Sequence, residues 1–154
     1  MFETPQNEQH WLERLVGEWT YESHAVSDKG EALDADGFER VRTLGGLWIV
    51  GESEGTMPGG HPARAIITLG FDPARQRYVG TWIGSIMTHL WLYDGVLDAA
   101  GRVLTLNSEG PSMSADGSMA RYQDVIAIES DDHRRLIARV QTADGSWKEF
   151  MTTD

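Results

Sequence analysis

The stretch "ARAIITLGFDPARQRYVGTWIGSIMTHLWLYDGVLD", residues 63–98, decides how this chain folds. It divides into three runs of strand character, 63–72, 76–84 and 88–98, the first two joined by the turn signal "DPARQ" at 72–76. Side chains alternate across a strand. Ala65, Ile67, Leu69 and Phe71 therefore share a face, with Ile66 opposite. Tyr78 and Trp82 oppose Val79 and Ile83, and His89, Trp91 and Tyr93 oppose Leu90 and Leu92. Neither face of these runs is made for water. A half-solvated antiparallel sheet needs only one apolar face, so the second face here requires a cover.

Turn signals extend the pattern in both directions, roughly every 8–12 residues: "DKG" 28–30, "LGG" 44–46, "MPGG" 57–60, "DAAG" 98–101, "SADG" 114–117, "SDDH" 130–133 and "ADG" 143–145. Further strands are expected at 18–26, 36–43, 46–57, 102–109, 119–130, 133–143 and 146–152, about ten in all. Hairpin-length joints make an up-and-down meander the simplest topology, and a meander of this length closes rather than leaving an open edge. Arg40, Arg42, Arg121, Gln123 and Asp124 mark 36–43 and 119–130 as half-solvated strands, although Asp124 stands opposite apolar neighbours. One segment is helical in spacing: "NEQHWLERLVG", 7–17, with Trp11, Leu12, Leu15 and Val16 on one side, Asn7 as N-cap and Gly17 as the stop. A short helix before the first strand either plugs one end of a barrel or lies against its side. No composition shift divides the chain, so residues 1–154 form a single domain.

Composition narrows the function classes. Thirteen basic and 24 acidic residues give a net charge of −11, which repels phosphate backbones and argues against a nucleic-acid partner. There is no cysteine, hence no disulfide, thiolate metal site or cysteine nucleophile. The N-terminal "MFETPQNEQH" lacks a basic and an apolar region, and no apolar run reaches the length of a helical membrane span. A cytoplasmic protein away from membranes is expected.

The segment "HWLERLVGEWTYE", 10–22, a helix ending in Leu-x-x-Leu-x-Gly-x-Trp before a strand, resembles the DUF1579 family. "GGLWIVGESEG" 45–55, the block 67–111 and "MARYQDVIAIESDDHRRLIARV" 119–140 are similar to that family's later segments. The C-terminus, "EFMTTD", departs from the aromatic-x-Arg ending usual there, so a short or ragged last strand is expected. The resemblance implies a calycin-like, lipocalin-type barrel with an interior cavity; it implies no established activity. The triplet Gly17-Glu18-Trp19 is also similar to the G-x-W of lipocalins, which implies that Trp19 closes the barrel floor beside a late-strand arginine, Arg139 or Arg121.

Catalytic and metal motifs are sparse. His10, His24, His61, His89 and His133 form no H-x-x-x-H or H-E-x-x-H pair, and no G-x-S-x-G, P-loop or G-x-G-x-x-G is present. The glycine-rich motif of heme-binding nitrobindins is missing as well. No metal and no cofactor are expected. The leading expectation is a protein that binds a small apolar or aromatic molecule in the barrel. Trp82, His89, Trp91 and Tyr93 would form the wall, and His61, in the loop "PGGHPAR", would stand at the mouth. One alternative is an enzyme using the same cavity, with His89 and Glu52 or Glu54 as acid–base groups. The other is a filled barrel with a structural or interaction role. The helix or a homodimer partner would cover Leu90 and Leu92.

Overall fold

The computed structural model describes residues 2–27, 29–114 and 116–154; Asp28 of the "DKG" turn and Ala115 of the "SADG" turn lie outside the described residues. Ten antiparallel strands close into a barrel, each beside its neighbour in sequence and the last beside the first. They are β1 Gly17–Ala25, β2 Ala35–Leu44, β3 Trp48–Thr56, β4 Pro62–Asp72, β5 Arg77–Gly84, β6 Trp91–Leu97, β7 Val103–Pro111, β8 Met119–Ser130, β9 His133–Gln141 and β10 Trp147–Thr153. Each expected strand is present. β10 is short, carries a bulge between Glu149 and Met151, and meets β1 through Ser23–Thr153, His24–Thr152 and Ala25–Met151. The bulged residue adds bend and twist where the barrel closes.

Up-and-down order places the β1–β2, β3–β4, β5–β6, β7–β8 and β9–β10 loops at one end. The remaining loops share the other end with the helix α1, Asn7–Leu12, which runs into a 3₁₀ turn at Glu13–Leu15. The helix is shorter than expected and its N-cap is Gln6 rather than Asn7, because the Gln9 side chain reaches back to accept the Gln6 N–H at 2.7 Å. Gly17, at φ 141°, turns the chain directly into β1.

The helix is a plug. Leu12 and Leu15 are buried in the core. Trp11 Nε1 donates to the Gly101 carbonyl at 2.7 Å, Tyr78 Oη to the Glu8 carbonyl at 3.0 Å, and Gln9 Nε2 to the Phe71 carbonyl at 3.3 Å. These bonds satisfy polar atoms that would otherwise be buried unpaired. They also pin the helix across the closed end, so it does not cover the outer leucine face. Leu90 and Leu92 remain 51% and 62% exposed, beside exposed Ile66 and Ile83. No helix among the described residues is long and apolar enough to cross a membrane, which says nothing about crossing by strands.

Trp19 sits in the floor as the lipocalin-like triplet implies, with its Nε1 donating to the Leu15 carbonyl at 2.9 Å. Its arginine is neither Arg139 nor Arg121. It is Arg134, whose guanidinium carbon lies 4.7 Å from the Trp19 ring centroid and whose head is ion-paired with Glu39. Parity explains the correction. On β9 the inward positions are Arg134, Leu136 and Ala138, so Arg139 faces outward. Arg121 is exposed and pairs with Glu109.

Candidate functional site

The barrel interior changes character from one end to the other. Near the helix the inward side chains are aliphatic and dry: Val41, Ile49, Leu69, Leu104, Leu106 and Ile126 are all buried. Leu69, Leu104 and Leu106 are 0% exposed. Further along the same strands, toward the open end, the inward positions become hydroxyls, aromatic rings and small residues. On β3 Ile49 gives way to Ser53, and on β7 Leu106 gives way to Ser108. On β4 Leu69 gives way to Ala65, on β5 Tyr78 to Trp82, and on β8 Ile126 to Asp124 and Tyr122. Ser53, Ala65, Trp82, Trp91 and Asp124 are half-buried here, in contrast to the fully buried aliphatic side chains nearer the helix.

Cross-strand register assembles the wall. Directly opposed residues share a face, and Trp82 opposes Trp91. Ser108 opposes Tyr122, and Asp124 lies between Leu106 and Ala138. Glycines seat the rings. A Cβ at Gly84 would stand 2.3 Å from the Trp82 ring, and one at Gly110 would stand 2.1 Å from the Trp91 ring. Each ring therefore occupies the space that a side chain at the glycine would fill. Trp91 is further oriented by edge contacts at 4.7 Å to His89 and 5.0 Å to Tyr122, with Phe150 6.1 Å beyond Tyr122.

The sequence-selected residues separate into two groups. Trp82, Trp91 and Tyr93 point into the barrel. His89 precedes β6 at the open end and donates through Nε2 to the Glu109 carbonyl at 3.0 Å; a carbonyl only accepts, so this nitrogen carries the proton. His61 occupies the β3–β4 loop at the same end and is exposed. Glu52 and Glu54 face the opposite way. They lie on the outer surface of β3, within 3.6 Å of Arg42 and 3.2 Å of Arg64 respectively, so the proposed pairing of either carboxylate with His89 inside the cavity is overturned. Alternation decides this: Ile49, Gly51 and Ser53 take the inward positions of β3 and leave the glutamates outside.

Asp124 also departs from its sequence reading as part of a solvated face. It projects inward and accepts the Tyr93 hydroxyl at 2.5 Å. Burial pushes its carboxyl above the ordinary range, and the Tyr93 hydrogen bond pulls it the other way with smaller effect. Burial, followed by the Asp124 charge and hydrogen bond, holds Tyr93 well above the usual phenol value. The parity Tyr122, Asp124, Ile126, Ile128 was the signal available in the sequence, because it places Asp124 with the core residues of its strand. A separate depression of about 400 Å³ at the β1–β2 surface is lined by Thr20, Glu22, Asp36 and Asp154 among others. Its outward-facing carboxylates set it apart from the aromatic lumen.

The family model described as "Protein of unknown function (DUF1579)" matches residues 4–154. The chain belongs to this family. A comparison with curated proteins gave no match. Among solved structures, this DUF1579 chain is similar to "EF1p2_mFAP2b bound to DFHBI" at 12% identity and a TM-score of 0.46, over 94% of this chain and 95% of that one. It is also similar to "a redesigned beta barrel, mFAP0, bound to DFHBI" at 12% identity and a TM-score of 0.40, over 88% and 93% of the two chains.

Proposed function

We propose that this DUF1579 protein binds a small, mostly apolar or aromatic molecule in the upper half of its barrel. One observation carries the reading: along the same strands the interior passes from a fully buried aliphatic floor to a wall of rings and hydroxyls in which Ser53, Trp82 and Trp91 are half-buried while Tyr93, Ser108 and Tyr122 are buried. Binding sites combine apolar surface with a few placed polar groups in this way. In this reading Trp82, Trp91 and Tyr93 form the wall, and His89 and His61 stand at the mouth. The dry lower half and the helix plug make the chamber one-ended.

Native mass spectrometry of freshly purified protein, followed by a denaturing spectrum, tests the proposal. The expected result is an extra mass that denaturation removes. Trp82→Ala and Trp91→Ala should reduce its occupancy while leaving the far-ultraviolet spectrum unchanged. Full occupancy in both variants would place the molecule elsewhere.

A further inference from the structure

Asp124 is the one acidic group among the described residues that faces the upper lumen without a cation beside it. Its hydrogen-bond partner there is Tyr93, which engages Oδ2. The lumen's other carboxylate, Glu39, is held at the closed end by Arg134, which also lies over Trp19. Neighbouring arginines are committed outside the barrel: Arg40 to Glu18, Arg42 to Glu52, Arg64 to Glu54, Arg121 to Glu109 and Arg135 to Asp154. Arg139 lies on the outer side of β9. Asp124 is half-buried, and its one side-chain hydrogen bond among the described residues, from Tyr93, engages Oδ2 and leaves Oδ1 free of a side-chain partner. Trp82, Trp91 and Tyr122 project into the same chamber.

A carboxyl in such a place asks for a positive partner. Burying it unpaired is costly, and aromatic faces attract cations through their quadrupoles. We propose that Asp124 anchors a ligand bearing one basic nitrogen, a small aromatic or aliphatic amine bound as its ammonium form, with the ring or chain against Trp82 and Trp91. This rests on the lumen-binding reading above and names the chemical class that the lumen takes. Tyr93 acts as a positioning residue: it fixes one carboxylate oxygen and leaves the other for the N–H. The proton count closes simply. An amine entering neutral takes the proton from the Asp124 carboxyl, and an ammonium entering charged displaces that proton to solvent; either route ends with carboxylate and ammonium in contact.

The test is isothermal titration of the full chain with three probes that share one ring system, naphthylmethylamine, naphthalenemethanol and naphthylacetate, against wild type and Asp124→Asn. The amine should bind at least about tenfold tighter than the alcohol, as a charge-assisted hydrogen bond requires, and the acid should bind weakest. Asp124→Asn should bring the amine down to the alcohol while leaving the alcohol's affinity in place. Equal binding of amine and alcohol to wild type, or an amine preference that survives in folded Asp124→Asn, overturns the anchor and leaves the lumen reading standing. Binding of none of the three overturns the lumen reading and the anchor with it.

Should Asp124→Asn fail to fold, the pH series on wild type decides. Amine affinity should fall by about tenfold per pH unit below the Asp124 pKa, while alcohol affinity stays level. A level amine profile overturns the proposal. The other titratable groups of the lumen do not mimic this trend. Tyr21, Tyr93 and Tyr122 are raised further above acidic pH, and Glu39 is tied to Arg134. Repeating the series in His89→Gln and in His61→Gln removes in turn the two histidines at the mouth, and the fall in amine affinity should persist in both.

Discussion

The Asp124 carboxyl receives the Tyr93 hydroxyl at 2.5 Å and forms no ion pair among the described residues. Its folded pKa lies above the ordinary 3.8. The folded protein therefore holds more protons than the unfolded chain between those two values. The stabilisation is complete below the ordinary carboxylate range and is lost as pH rises through the folded pKa. Asparagine keeps the acceptor for Tyr93 without the charge. The expected outcome is that Asp124→Asn melts higher than wild type at neutral pH, and that the gap closes toward about pH 4, near the unfolded pKa. Thermal melts across that range measure it. Gly110 is a second residue-scale constraint. Its missing Cβ makes room for the Trp91 ring, so Gly110→Ala should destabilise by about 1–3 kcal/mol in urea unfolding and shift the tryptophan emission.

At the scale of elements, the closed end is built from the helix, the start of β1 and the start of β9. Arg134 and Glu39 are only 18% and 21% exposed at their side chains, so each depends on the other. Removing one member strands a poorly solvated charge. Arg134→Ala should cost on the order of 3 kcal/mol by urea unfolding, and the double variant Arg134→Met, Glu39→Leu should recover most of it. Trp19 loses its covering guanidinium in both, so a floor that depends on that stacking would show itself as incomplete recovery. The helix is too short to be stable alone; its three long-range hydrogen bonds and two buried leucines hold it in place.

At the scale of the molecule, all four tyrosines have raised pKa values, with burial the first cause in each: Tyr21, Tyr78 (to about 12), Tyr93 and Tyr122. Above about pH 10 the unfolded chain releases phenol protons that the folded barrel retains, so stability declines with rising pH from that point. Absorbance of phenolate should appear together with loss of tryptophan ellipticity, not before it. The outer face of β4, β5 and β6 leaves Ile66, Ile83 and Leu92 exposed, with Leu90 beside them. With the helix committed to the closed end, a homodimer is the remaining cover expected from the sequence. Sedimentation velocity should give a dimer that Leu92→Lys separates.

Local pattern was enough to determine the elements. Turn residues at regular intervals and runs of alternating side chains belong to neighbouring positions in the chain, and they marked ten strands and a leading helix without any long-range contact. They also placed Trp82, Trp91 and Tyr93 on common faces, though not which face was inner. Tertiary structure decided that, because barrel closure assigns one parity of each strand to the core. The same parity sent Glu52 and Glu54 outside and brought Asp124 in. Closure also chose Arg134 over Arg139 for Trp19, residues 115 positions apart meeting only when β9 curls toward β1. Side-chain alternation is a property of two adjacent residues, whereas a site is a meeting of strands whose register the chain settles only when the sheet has closed.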